Sequence, residues 1–278
     1  MKNKVFFIAE IGINHNGDLS LAKELIDMAI DVGCDAVKFQ KRNITKVYNE
    51  EFLNSYRESP WGMSQRDQKN GLELSQSDFD SIDLYCKEKG IDWFASAWDE
   101  DSVMFLKKYD LKYNKIASAM LTNKKVLEEI AKQGKLTFIS TGLSTLEQID
   151  NAVNVFVKYK CPYVLMHCVG LYPCPDNKLN LNMINTLKQR YKCPIGYSGH
   201  SSGIMDAVIS YILGARYIEK HITLDRSMYG SDQSASLEKK GLEKTIEYIK
   251  YTNKALGNGK KIISNKEAKV RDKLRYWE

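Results

Sequence analysis

The sequence predicts a single-domain α/β fold in which eight parallel strands close into a (β/α)8 barrel. Three observations predict it. Eight short apolar runs recur along the chain, helical patterns alternate with them, and each run ends in polar or ionisable residues. Strand–helix alternation carried through eight units favours a closed barrel over an open sheet. The C-terminal strand ends of such a barrel form one rim, where positions far apart in sequence meet. A length of 278 residues fits one barrel, for which about 250 is typical.

The first run, Val5–Ala9, delivers Glu10. Asp18–Gly33 reads as a helix, with Leu21, Leu25, Met28, Ala29 and Val32 at helical spacing, Asp18 or Ser20 as cap and Gly33 as stop. The second strand, Ala36–Val37, leads into Lys38 and Gln40. Arg42–Gln76 then interrupts the rhythm with Tyr56, Arg57, Trp61, Met63 and Arg66, and an insertion of this length is expected to act as a lid that brings a positive charge to the site. The remaining strands are Trp93–Ala95, ending at Ser96; Tyr113–Ile116, with Lys115 inside and Ser118 beyond; and Thr137–Ile139, ending at Ser140. Tyr163–Met166 leads to His167 and Tyr172, Pro194–Gly196 to Ser198 and His200, and Tyr217–Ile218 to Glu219 and His221. Helices are expected near Ser77–Lys89, Glu100–Tyr109, Asn123–Gln133, Thr145–Tyr159, Asn180–Tyr191, Gly203–Leu213 and Leu237–Leu256. The barrel is thus placed at 1–256 with its insertion at 42–76, and 257–278 is a basic tail with a short helical stretch near Lys266–Leu274.

Charge and composition narrow the partners. A net charge of +6 is modest and partly local to the tail; it favours an anionic small substrate and gives no reason to expect nucleic acid. No apolar run approaches the roughly 18 residues of a membrane span, and Glu10 cuts short the apolar start before a signal sequence could form. Six cysteines without a CxxC pair fit free thiols in a reducing cytoplasm. No GxGxxG follows the first strand, which argues against a dinucleotide-binding sheet.

Chemistry concentrates at the strand ends. His200 and His221 close neighbouring strands, and with Glu10 from the first strand they could bridge one divalent cation; imidazole and carboxylate donors suit manganese, iron, cobalt or zinc. Lys38 and Lys115 lie within strands, where an ammonium group is costly without a partner. An anion in the mouth would be that partner, held also by Ser118, Ser140, Thr141 and Ser198, with Gly142 and Gly199 allowing close backbone approach. Asp232, on the loop after the last strand, could accept hydrogen bonds from substrate hydroxyls, and the Tyr172-Pro173-Cys174-Pro175 loop presents the Tyr172 hydroxyl.

Taken in order, these segments resemble the sialic acid synthase family, which joins phosphoenolpyruvate to an acylated amino sugar. The resemblance is carried by Ala9–Gly17 (AEIGINHNG), Val37–Gln40 (VKFQ), Tyr113–Ser118 (YNKIAS), Ile139–Gly142 (ISTG), Met166–Cys168 with Tyr172-Pro173, Gly196–His200 (GYSGH) and Ile218–Thr223 (IEKHIT). It implies a TIM barrel in which His200 and His221 bind a divalent metal, usually manganese or magnesium, with cobalt or zinc as further options. By the same resemblance Lys38, Lys115, Ser118, Ser140 and Ser198 hold phosphoenolpyruvate, while Glu10, Gln40, Tyr172 and Asp232 lie near the sugar or metal. Glu219 joins Glu10, Lys38 and Lys115 as a catalytic residue, and Ser96 borders the substrate. A cytoplasmic homodimer acting on phosphoenolpyruvate and a sugar aldehyde is implied as well.

The departures concern the sugar end. Family members usually continue into a small antifreeze-like domain, which would begin about where Glu278 stands. Met120 stands where many have glutamate, Gly170 where they have asparagine, and Ser96 where they have threonine. The acceptor sugar is therefore left open. Two other readings compete: a Schiff-base pyruvate aldolase using Lys38 or Lys115, and a sugar-binding barrel without catalysis.

Overall fold

The computed structural model of the protein describes residues 4–277. Eight parallel strands close into a barrel in chain order, the first pairing with both the second and the eighth. They are Phe6–Gly12, Ala36–Lys41, Asp92–Ala97, Tyr113–Ile116, Leu136–Ser140, Tyr163–His167, Ile195–Gly199 and Tyr217–His221. All eight fall on the expected runs, but most continue further toward the C-terminal rim. Glu10, Lys38, Ser140, Ser198, Glu219 and His221 are consequently strand residues rather than loop residues. Their polarity marks the barrel interior, not the end of the hydrogen-bonded ladder.

Side chains alternate between the two faces of each strand. Phe6, Phe94, Tyr113, Phe138 and Tyr217 pack ring against ring inside the barrel, with centroids 5.3 Å apart for Phe6–Tyr113 and for Phe138–Tyr217. Two residues further along four of those strands come Ser96, Lys115, Ser140 and Glu219. A polar layer therefore rests directly on an aromatic floor, in the layered packing that fills such barrels.

The outer helices follow the expected pattern closely. The first, Leu19–Val32, buries Ala22, Leu25, Ile26, Met28 and Ala29 against the sheet. Asp18, not Ser20, is its cap, accepting from the backbone N–H groups of Ser20 and Leu21, and Gly33 ends it in the left-handed conformation. The expected helix at Asn180–Tyr191 is shorter, Met183–Arg190, because Asn180 itself adopts a positive φ of 45° and cannot begin it. Glycine is required at Gly12, where the first strand shifts register: φ is +56°, and a Cβ there would meet Glu10 Oε1, Gln40 Nε2 and His221 Cε1 at 3.1, 3.2 and 3.4 Å.

The insertion is folded rather than an open loop. It comprises helices Ile44–Val47 and Glu50–Asn54, a hairpin of Tyr56–Ser59 with Gly62–Ser64, and helix Gln65–Leu72. Gln76 already belongs to the next helix, Gln76–Lys89. Glu73 ties the insertion to the rim through Lys41 at 3.1 Å and Arg42 at 3.0 Å. Trp61 packs over Gly71 and edge-on to Tyr229, centroids 5.6 Å apart, which docks the hairpin on the loop that carries Asp232. After Leu256 the chain leaves the barrel, and helix Asn265–Leu274 buries none of its residues.

Candidate active site

The polar layer above the aromatic floor contains four charged groups. Lys38 Nζ lies 2.7 Å from Glu10 Oε2 and 3.9 Å from Glu219 Oε1. Lys115 Nζ donates to Glu219 Oε1 at 3.1 Å, and the Ser198 hydroxyl donates to the same oxygen at 2.9 Å. Gln40 Nε2 donates to Glu10 Oε1 at 3.1 Å. All four charged side chains are buried. The lysines thus do have partners within the protein. Where the sequence led to an anion as that partner, two carboxylates from the first and eighth strands hold the place.

Burial dominates the proton equilibria. It pushes Glu10 up to about 7; Lys38 opposes that rise and the charge of Glu219 adds to it. Burial acts on Glu219 in the same direction, but Lys115 and Lys38 outweigh it and hold that carboxyl down at about 2. Burial lowers Lys115 despite Glu219, whereas the two carboxylates overcome burial at Lys38 and raise it. Near neutral pH Glu219 is ionised while Glu10 exchanges its proton readily. Two carboxyl groups pushed apart in this way are the mark of an acid–base site.

One layer higher stand the imidazoles. His200 and His221 have centroids 5.4 Å apart, and burial lowers both to about 3, so both are neutral. His200 Nδ1 is 2.6 Å from the Val169 carbonyl oxygen, which makes it the protonated nitrogen and leaves the Nε2 lone pair facing the Tyr172 hydroxyl at 2.9 Å. The Tyr172 ring stacks on His200 at 4.1 Å, so its loop does carry the phenol into the mouth. His221 Nδ1 is buried without a hydrogen-bond partner, 3.7 Å from Asp232 Oδ2. The unpartnered His221 Nδ1 and Glu219 Oε2, with His200 Nε2 engaged by the Tyr172 hydroxyl alone, are donor types that suit a first-row divalent cation. Among the described residues, however, no three His, Cys, Asp or Glu side chains surround a single metal position. Glu10 is engaged by Lys38 and Gln40 and does not complete a triad with the histidines.

Ser96, Ser118 and Ser140 line the same cavity, and the Ser140 hydroxyl is buried without a partner. Of the residues expected to hold metal or substrate, Asp232 and Thr141 lie outside the cavity wall, with Asp232 Oδ2 3.7 Å from His221 Nδ1. Other expectations fail on strand parity. His167 points outward and its Nε2 lies 2.9 Å from the Leu179 carbonyl; the next inward residue is Cys168, which lines the cavity. The Thr141 hydroxyl donates to the Met166 carbonyl and takes no part in the cradle. The space that Gly142 and Gly199 leave is filled by Cys168 Sγ and by Tyr197 with Asp206, not by room for an anion. Arg66 of the insertion pairs with Glu50 instead of reaching the site, and Arg42 stacks 5.1 Å over Trp98, itself a cavity residue. Cys168 and Trp98 could have been found by following the alternation one step past each strand end.

Comparison with known proteins gives a consistent picture. The chain is 38% identical over 272 residues to an N,N'-diacetyllegionaminic acid synthase of Campylobacter jejuni, covering 96% of this chain and 81% of that protein. It is 35% identical to the human N-acetylneuraminate-9-phosphate synthase, over 97% of this chain and 76% of that one. The crystal structure of N-acetylneuraminic acid (sialic acid) synthetase from Leptospira borgpetersenii serovar Hardjo-bovis, in complex with citrate, superimposes with a TM-score of 0.85 at 35% identity, over 99% of this chain and 93% of that one. A truncated 3-deoxy-D-arabino-heptulosonate 7-phosphate synthase from Thermotoga maritima, 13% identical with a TM-score of 0.71, shares the fold. The family model for NeuB matches residues 25–261, and the chain belongs to the NeuB family.

Proposed function

We propose that the protein is a phosphoenolpyruvate-dependent synthase. It condenses phosphoenolpyruvate with the open-chain aldehyde of an acylated amino sugar to a 3-deoxy-2-ulosonic acid of the nonulosonate type, releasing phosphate. The observation that carries this reading is one buried mouth that combines two neutral imidazoles with the Glu10–Lys38 and Lys115–Glu219 pairs. Relatives named as synthases of legionaminic and neuraminic acids support the same reaction class.

In this reading the phosphate and carboxylate of phosphoenolpyruvate lie against Lys38, Lys115, Ser118, Ser140 and Ser198. The incoming anion competes with Glu10 and Glu219 for the two ammonium groups, and Glu10, held at about 7, takes a proton as Lys38 turns to the ligand. C3 of phosphoenolpyruvate attacks the aldehyde carbon, and the former carbonyl oxygen gains a proton to become a hydroxyl. Water adds to the electron-poor C2 and gives up a proton. The remaining C2 hydroxyl passes its proton to the departing phosphate as the bond between C2 and the phosphate oxygen breaks; phosphate leaves with the electron pair and a ketone remains. Glu10 has the proton affinity suited to these transfers, and ionised Glu219 offsets positive charge at C2. Gln40, Ser96, Tyr172 and Asp232 border the acceptor. His200 and His221 would hold a divalent cation, manganese or magnesium or else cobalt or zinc, which supplies Lewis-acid polarisation of a carbonyl oxygen.

The insertion, docked through Trp61 on the Asp232 loop, covers the acceptor side. The family resemblance supports a homodimer and a cytoplasmic location, and no helix among the described residues is long and apolar enough to cross a membrane. The direct test offers phosphoenolpyruvate, Mn²⁺ and a panel of free and acylated hexosamines, reading released phosphate and product mass. Phosphate release with no acceptor dependence, or none with any acceptor, would sink the proposal.

A further inference from the structure

Lys220 stands between Glu219 and His221, yet it points out of the barrel into the layer between strands and helices. Its side chain is 1% exposed and its Nζ lies 3.0 Å from Asp206 Oδ2, itself 2% exposed. The same ammonium donates to the Ser201 carbonyl at 2.8 Å and approaches the Ser201 hydroxyl at 3.3 Å. Asp206 Oδ2 also accepts from the Tyr197 hydroxyl at 2.7 Å. A Cβ on Gly199 would press on both Tyr197 and Asp206, at 2.5 and 2.8 Å, so the network fills its space completely.

The placement is specific. Lys220 precedes His221 on the eighth strand, and the carbonyl it holds belongs to Ser201, the residue after His200, just past the end of the seventh. Lys220 also pairs with Gly199 in the strand register. One buried ammonium therefore joins the two backbones within one residue of each imidazole. Burying such a pair brings little net stability, since desolvation cancels most of the attraction and an apolar pair of equal volume is often as good or better. Its cost is understandable if it fixes a geometry.

We propose that Lys220 and Asp206 are positioning residues that set the separation and orientation of His200 and His221. The proposal rests on the reading of those histidines as the metal pair. Outer partners of metal ligands typically change metal affinity about 10–100-fold when removed, and the same size of effect is expected here without any contact between Lys220 and the cation.

The test is the double variant Lys220→Met with Asp206→Leu, which removes both charges together. It is expected to keep a cooperative unfolding transition with a Tm near or above that of the unmodified protein, while the Kd for Mn²⁺ measured by calorimetry rises about 10–100-fold. With only four histidines in the chain, ¹⁵N imidazole spectra of the metal-free protein give a second readout. The His200 and His221 resonances shift and those of His15 and His167 stay. Unchanged resonances with unchanged Mn²⁺ affinity overturn the proposal, as does a lower Tm with no change at either ring. Should the double variant not fold, Asp206→Asn, which keeps the shape of the side chain, is read by the same two criteria. If the unmodified protein binds no Mn²⁺, the metal assignment falls, and the ring resonances alone decide whether the pair positions the imidazoles.

Discussion

Lys115 and Glu219 meet across the interior of the barrel, Nζ to Oε1 at 3.1 Å, from strands whose residues are 104 positions apart. Lys38 and Glu10 form the second such pair at 2.7 Å. The two pairs are alike in distance and unlike in proton affinity: Glu219 is held down at about 2 and Glu10 lifted to about 7.

That difference separates two variants. Lys115→Met strips Glu219 of the partner that most strongly holds it down and leaves its buried carboxylate with Lys38 at 3.9 Å; breaking a buried pair in this way typically costs about 3–5 kcal/mol. Lys38→Met leaves Glu10, whose proton affinity is already raised and which neutralises itself by binding a proton, so its cost is the smaller of the two. Lys38 opposes the rise of Glu10, so Lys38→Met moves this carboxyl above about 7; with the folded pKa above the unfolded one, its stabilisation is present in full below the unfolded pKa and is lost as pH rises toward that higher folded value. Urea unfolding at pH 6 and pH 8 checks this. The deficit of Lys38→Met against the unmodified protein should widen at pH 8; a deficit independent of pH contradicts it.

His15 reports on acid sensitivity away from the mouth. Its Nδ1 accepts from the Gly17 backbone at 3.0 Å, and burial, with Arg42 nearby, lowers it to about 4. Between that value and the unfolded one near 6.5 the unfolded chain binds more protons, so stability rises with pH in this window. In metal-free protein His15→Gln should reduce the slope of stability against pH by about 1.4 kcal/mol per pH unit between pH 6 and 4.5. An unaltered slope would place the acid sensitivity elsewhere.

The two lysines distinguish this reading from an aldolase. Each is already engaged by a carboxylate; Lys38 is raised in proton affinity and so disfavoured as a nucleophile, while Lys115, lowered by burial, is the lysine on which the trapping experiment bears most. Borohydride reduction in the presence of pyruvate should leave the mass of the protein unchanged. A pyruvyl adduct on Lys38 or Lys115 would favour Schiff-base chemistry.

Much of this was legible in the residues, and the misses share one cause. Apolar runs and helix caps mark the eight strands and the helices between them because these are local patterns. Which end-of-strand residue faces the cavity depends on parity: Thr141, read into the cradle by its polarity, turns to the Met166 carbonyl, and His167 turns to the Leu179 carbonyl. Salt links such as Lys115–Glu219, between two strands, and Lys220–Asp206, between a strand and the helix Met205–Ile212, leave no local trace. The insertion hid its hairpin for the same reason: its anchors, Trp61 on Tyr229 and Glu73 on Arg42, are tertiary contacts.

Removing one anchor tests the role of the insertion. Trp61→Ala takes the ring off Tyr229 and Gly71 and should raise the KM for the acceptor several-fold while the KM for phosphoenolpyruvate stays within about twofold. Equal effects on both substrates would make Trp61 a packing residue only.

At Gly170 an added Cβ would lie 2.7 Å from Leu143 Cδ2, so an asparagine cannot enter without displacing that leucine. Gly170→Asn alone should therefore lower activity with every acceptor, and Gly170→Asn with Leu143→Ala should recover it with altered acceptor preference. The comparison is made by phosphate release over the acceptor panel. Recovery without any change in preference would remove this position from acceptor selection.

The most direct measurement follows the oxygen at C2 during turnover in H₂¹⁸O with phosphoenolpyruvate, Mn²⁺ and an accepted amino sugar. Attack of water on C2 and departure of phosphate through the C2–O bond predict ¹⁸O in the ulosonic acid and none in the released phosphate, with His200→Ala and His221→Ala both inactive. Label in the phosphate, or near-normal turnover in either histidine variant, contradicts the chemistry assigned to this mouth.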